Sequence, residues 1–97
     1  MIIVLTIAYN AENTLARTIE SILSQTYGDF RYYALDNAST DSTYDIISEY
    51  ADKDERITAL KNEINIFRAA EAGLTAKWNI LTVLELASSE YPDGCYF

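Results

Sequence analysis

The chain opens on Met-Ile-Ile-Val-Leu-Thr-Ile-Ala, residues 1–8, an unbroken aliphatic and β-branched run. A run without polar alternation fits a strand covered on both faces, as the interior strands of parallel sheets are. It is far short of the roughly 20 residues a membrane helix needs, and no basic region precedes it, so it reads as neither a span nor a signal peptide. A strand buried on both sides requires helices above and below it, and the following sequence supplies them. Leu15, Ile19, Ile22 and Leu23 recur at i, i+4, i+7 and i+8, which predicts an amphipathic helix over about 11–25, with Asn10 or Asn13 available as cap. After a break at Gly28, the aromatic-rich Phe30 to Leu35 predicts a second strand ending at Asp36.

Asp36 to Thr43 consists almost entirely of turn and cap formers, so a helix is expected to start near Asp41, with Tyr44, Ile47 and Tyr50 or Ala51 on one face. Asp52 to Arg56 reads as a charged loop and Ile57 to Leu60 as a third strand. Asn62 to Gly73 takes no firm assignment. Ile80, Leu81, Leu84 and Ala87 then mark a helical face over about 75–88 with Thr75 as cap. Pro92-Asp93-Gly94 forms a turn, and Cys95-Tyr96-Phe97 opens a fourth strand. Strands alternating with helices across short loops predict an α/β fold: three layers, α/β/α, around a mostly parallel, Rossmann-like sheet. One domain over 1–97 is expected, and it reads as cut after the start of the fourth strand, which has no second half to bury.

Composition narrows the chemistry. With 15 acids against 7 bases the net charge is −8, which repels phosphate backbones and argues against nucleic acid as a partner, and against direct anchoring to anionic lipid. The absence of histidine removes His-based zinc sites, histidine-containing triads and imidazole acid–base steps, leaving mainly carboxylates. The single cysteine, Cys95, cannot close an internal disulfide, which is compatible with a reducing cytosol.

In open parallel sheets ligands gather at the carboxyl ends of the strands. Here those ends are Ala8 to Asn10 and Asp36 to Asp41. Glycines only at 28, 73 and 94 leave no Gly-x-Gly-x-x-Gly or Walker loop, so a glycine-rich phosphate cradle is excluded. Asp36 and Asn37 can instead exchange hydrogen bonds with a base or ribose, and Tyr9 offers an aromatic face. Asp52-Lys53-Asp54 spells Asp-x-Asp, but it lies away from the strand-end face and reads as solvated charge rather than a metal site. Tyr32, Tyr33, Tyr44 and Tyr50 fall on strand or helix faces and read as packing residues, and Glu12 and Glu20 as solvent-facing.

Three blocks in order, Tyr9-Asn10-Ala11-Glu12, Thr18 to Tyr27, and Leu35 to Thr43, resemble the opening half of the family 2 glycosyltransferases. These are inverting enzymes with the nucleotide-diphospho-sugar transferase (GT-A) fold. The resemblance is close over about 1–60 and looser over 61–97. It implies that Ala8, Tyr9 and Asn10, together with Asp36 and Asn37, line a nucleotide pocket, with Asp36 accepting a hydrogen bond from the base. It also brings Arg68 and Lys77 near the diphosphate, where a cation suits the charge. The chain departs from the family pattern at Ile7-Ala8, where a hydroxyl-bearing pair is usual, and at Asn37, often Asp.

The donor the resemblance implies is a nucleoside-diphosphate sugar, UDP or dTDP favoured, and the acceptor a saccharide or lipid-linked sugar. A divalent ion (Mn or Mg) is implied for the full-length enzyme, with no metal site in this chain, because the family's metal-binding Asp-x-Asp and its catalytic base are expected beyond Phe97. The resemblance further implies a cytoplasmic setting, at the cytoplasmic face of a membrane, in polysaccharide assembly. The family's 3-2-1-4 strand order would leave a sheet edge open to pairing with a second copy. Two readings compete with the transferase: a non-catalytic α/β module that binds nucleotide or protein, and a nucleotidyltransferase.

Overall fold

A computed structural model of the chain describes residues 2–25, 28–71, 73, 77–91 and 95–96. The elements are β1 (Ile2–Ala8), α1 (Leu15–Leu23), β2 (Phe30–Asn37), α2 (Thr43–Lys53), β3 (Ile57–Asn62), α3 (Ile66–Glu71), α4 (Ile80–Glu90) and β4 (Cys95–Tyr96). The strands form one sheet in the order β3-β2-β1-β4, parallel at every pairing. The apolar run at the chain start thus becomes an interior strand, as its lack of alternation predicts.

The period-2 alternation of β2 divides the core. Phe30, Tyr32 and Ala34 point to one face and pack with Leu15 and Ile19 of α1 and Ile47 of α2, while Tyr33 and Leu35 point to the other and meet Val83 and Ala87 of α4. Helices therefore cover both faces, giving the expected α/β/α layers. Tyr32 and Tyr33 are buried as packing residues, and burial pushes the Tyr32 phenol above its ordinary pKa.

The element boundaries differ from the sequence-based ones for local reasons. α1 begins at Leu15 rather than near Ala11, because Asn10 takes a left-handed φ of 48° and the Ala11 carbonyl closes a turn on the N–H of Thr14. Neither Asn10 nor Asn13 caps the helix; Thr14 holds the N-cap position. β2 runs one residue beyond its expected end at Asp36 and β3 two beyond Leu60, since Asp36 pairs with Lys61 and Asn37 with Asn62. α2 starts at Thr43 and continues through Lys53. α3 occupies part of the stretch left unassigned, and α4 starts at Ile80, where Asn79 and Thr82 form a reciprocal capping box. Thr75, the Pro92-Asp93-Gly94 turn and Phe97 lie outside the described residues.

Asp52 and Lys53 of the Asp52-Lys53-Asp54 run are exposed, as expected of solvated charge, but the run is not a loop. Asp52 and Lys53 end α2, and Asp54 is its C-cap, with Arg56 Nη2 donating to Asp54 Oδ2 at 2.7 Å and Nε to Oδ1 at 3.0 Å. The Arg56 guanidinium also stacks 4.3 Å from the Phe30 ring centroid. Hydrogen bonding from Arg56 holds the Asp54 carboxyl below its ordinary pKa. A carboxylate whose folded pKa lies below its unfolded value of about 3.9 stabilises the fold above that value, and the gain disappears as pH falls through the folded pKa. Solvent screening limits the pair to about 1 kcal/mol. Asp54→Asn is expected to lower stability at pH 7 by roughly that amount and to soften the loss of stability below about pH 4, as followed by urea melts across pH. Identical pH slopes for the two proteins would contradict this assignment.

β4 pairs only with Ile2 and Ile3, so among the described residues Val4 to Ala8 have no strand on that side. Ile7, Phe67 and Leu81 are exposed near this edge, at 37%, 75% and 70%.

Candidate functional site

The carboxyl ends of β1, β2 and β3 meet at one end of the sheet, where the β1–α1 and β2–α2 loops are bound to each other. The Asn10 N–H donates to Ser39 Oγ at 2.9 Å, and Asn10 Oδ1 accepts from the Thr40 N–H at 2.9 Å. The Ala11 N–H donates to Thr43 Oγ1 at 2.8 Å, and the Ser42 N–H donates to Glu12 Oε2 at 3.0 Å. Glu12 is therefore exposed but engaged, its carboxylate accepting from the start of α2, where negative charge is favoured. Glu20 likewise accepts from the Tyr50 hydroxyl at 2.8 Å, which raises the Tyr50 pKa. Asp41 receives the Thr43 N–H and hydroxyl, and these bonds lower its carboxyl pKa.

Beside this joint lies a cavity of about 170 Å³ lined by Tyr9, Thr40, Glu63, Asn65 and Arg68, with Ala38 and Ile64 completing its wall. A complete small-molecule site is usually ~300–1,000 Å³, so this cavity suits one part of a larger ligand. Tyr9, on the β1 loop, is 46% exposed and presents its ring there.

Asp36 and Asn37 end β2 on opposite faces. Asp36 shares the α1/α2 side with Tyr32 and Ala34, lies beside Ala8 of β1 and is fully buried. Its Oδ1 accepts from the Ser39 N–H at 3.3 Å, while its Oδ2 is buried with no hydrogen-bond partner. An unpaired buried carboxylate oxygen is costly and uncommon. The turn over it is itself strained, because Ala38 takes φ 60°.

Asn37 is held in a structural bracket. Its Oδ1 accepts from Asn62 Nδ2 at 3.2 Å and from the Ile66 N–H at 2.9 Å, and its backbone carbonyl accepts from Asn65 Nδ2 at 3.3 Å. Asn62 in turn exchanges two bonds with the Trp78 backbone, both 2.8 Å.

Of the residues expected to bind a ligand, the structure brings Tyr9 and Arg68 to one cavity and sets Ala8 against Asp36. Asn10 spends its side-chain carbonyl on Thr40 and so positions the loops. Lys77 is not a wall of the cavity; its ammonium lies 5.6 Å from the Trp78 ring centroid. Glu63 and Thr40 were not among the expected residues. Glu63 follows directly on β3, so a strand read to Asn62 rather than Leu60 would have put it at the mouth of the sheet. Among the described residues no group of three Asp, Glu or Cys side chains is placed to hold a metal ion.

A family model described as Glycosyl transferase family 2 matches residues 3–76. The chain is 47% identical over 55 residues to the UDP-Glc:alpha-D-GlcNAc-diphosphoundecaprenol beta-1,3-glucosyltransferase WfaP of Escherichia coli, covering 57% of this chain and 21% of that protein. To WfgD of Escherichia coli, which carries the same enzyme description, it is 39% identical over 56 residues, 58% of this chain and 21% of the relative. To the glycosyltransferase GlyA of Streptococcus pneumoniae it is 34% identical over 71 residues, 73% of this chain and 9% of the relative. The chain thus spans about a fifth of the length of WfaP and WfgD.

Proposed function

The chain belongs to glycosyl transferase family 2, and from that premise we propose that residues 1–97 are the nucleotide-sugar-binding part of an inverting glycosyltransferase. The donor is a nucleoside-diphosphate sugar, UDP or dTDP, and the acceptor a saccharide or lipid-linked sugar, as the names of WfaP and WfgD suggest. The observation that carries the reading is the buried, unpartnered Oδ2 of Asp36 at the end of β2. A uracil or thymine ring carries an imide N–H, a donor that this oxygen lacks. The Ser39 N–H holds Oδ1, which leaves Oδ2 as the acceptor for the base.

In this reading Tyr9 supplies an aromatic face, and Arg68 meets the diphosphate with its guanidinium. Ala8, Asn10 and Asn37 shape the pocket, and Lys77 adds positive charge from further away. The acceptor hydroxyl attacks the anomeric carbon, the bond to the diphosphate breaks, and the hydroxyl proton passes to a carboxylate base. A divalent ion would neutralise the diphosphate as it leaves; among the described residues no group of three Asp, Glu or Cys side chains is placed to hold one.

No helix among the described residues is long and apolar enough to cross a membrane; placement at the cytoplasmic face of a membrane, and pairing of two copies through the open sheet edge, remain part of the proposal. One feature favours the reading as a protein-interaction module: the groove between Ile7, Phe67 and Leu81. Calorimetric titration of the 97-residue chain with UDP and dTDP, with and without manganese, separates the two. Saturable binding of either nucleotide is expected, and no binding of either would overturn the nucleotide reading.

A further inference from the structure

Glu63 and Arg68 line the same cavity, yet neither makes an ion pair or hydrogen bond with any described residue. The cavity's other polar side chains are mostly committed. Asn65 donates to the Asn37 carbonyl and accepts from the Phe67 N–H, and the Thr40 hydroxyl donates to Asn10. An unpaired anion and an unpaired cation on one wall suit a ligand that offers hydroxyl donors at one point and negative charge at another. A ribonucleoside phosphate has that pattern.

A carboxylate is an acceptor-only group with two oxygens, able to take both hydrogen bonds of a vicinal diol. Ribose hydroxyls are held by an acidic side chain in this way in other open α/β sheets. A guanidinium complements the phosphate instead.

Building on the nucleotide reading above, the geometry points to Glu63 as the residue that accepts from the ribose 2′- and 3′-hydroxyls, making the site selective for ribonucleotides over deoxyribonucleotides. The donor is then a UDP sugar in preference to a dTDP sugar. Glu63 acts here as a specificity residue. Asp36, reading the base, cannot make this distinction, because uracil and thymine present the same imide N–H.

The test compares UDP with 2′-deoxyuridine diphosphate, which share base and diphosphate, on the wild-type chain and on Glu63→Gln. The wild-type chain should bind UDP about tenfold more tightly, the value of one hydrogen bond to a charged acceptor at its low end. In Glu63→Gln, whose amide keeps one neutral acceptor oxygen, the ratio should fall severalfold. Removing an anion raises affinity for any diphosphate, but it does so for both ligands, so the ratio is unaffected by that gain. Glu63 is exposed, so the variant should fold, and coincident circular dichroism and melting curves check this. Binding of both ligands without discrimination by the wild-type chain, or discrimination undiminished in Glu63→Gln, would overturn the assignment while leaving the nucleotide site standing. Failure of UDP to bind at all would overturn both.

Discussion

Replacing Asp36 with alanine should weaken UDP binding by roughly 10- to 100-fold, the loss of a hydrogen bond to a buried charged acceptor worth about 1.5–3 kcal/mol. Asp36→Asn should lose nearly as much affinity, because the amide cannot offer the same charged acceptor to an imide N–H. The two variants differ in what they do to the protein alone. Alanine leaves space at the end of β2 and frees the Ser39 N–H. Asparagine keeps the volume and removes the charge from an oxygen that is buried without a partner, so its unfolding midpoint should equal or exceed that of the wild type. Affinity measured by calorimetry, beside urea midpoints, separates binding from folding. UDP affinity unchanged in both variants would mean that Asp36 serves only the Ala38–Ser39 turn.

The largest stability effect is expected at Asn62. Its side chain is fully buried, donates to Asn37 Oδ1 and to the Trp78 carbonyl, and accepts from the Trp78 N–H. One amide thereby joins the ends of β2 and β3 to the approach to α4. Asn62→Ala deletes three hydrogen bonds and leaves buried polar groups without partners, a loss of about 3 kcal/mol. A domain of this size has about 5–10 kcal/mol in all, so the variant should lose a large fraction of its folding free energy. Urea denaturation reads the change directly; a loss below about 1 kcal/mol would show that water replaces the amide at little cost. Asn62→Asp keeps the acceptor for the Trp78 N–H but sets a buried carboxylate oxygen against Asn37 Oδ1 and the Trp78 carbonyl, and should destabilise at least as much as Asn62→Ala.

Much of the sheet was legible in the sequence because its signals are local. A short apolar run rich in β-branched residues and without alternation fits an interior strand, and the faces of α1 and α2 follow from helical spacing of Leu15, Ile19 and Ile47. Asp36 stood out for a similar reason: a carboxylate closing a strand in a parallel sheet lies where ligands bind. The features that were not legible depend on contacts between distant residues. Asn37 and Asn62 are poor strand formers on propensity alone and extend β2 and β3 because each is the other's partner. With β3 read as ending at Leu60, Glu63 dropped out of the strand-end loops. Asn10 suggested a helix cap and instead holds the neighbouring loop, a bond across 30 residues that no local pattern encodes. The capping box at Asn79 and Thr82 is a local signal, but Thr75 lies nearer the expected helix start and competes with it for the cap.

The pairing of Ala8 with Asp36 has a consequence for how the site comes into being. A slip of one residue between β1 and β2 would set Ala8 against Asn37 or Leu35, and the Asn10 bonds to Ser39 and Thr40 would no longer meet. Misaligned molecules could retain helices and strands and still lack the joined loops, so circular dichroism would count them as folded. A ligand would not. Nucleotide added during refolding should act as a proofreader, drawing the population toward the aligned form by mass action.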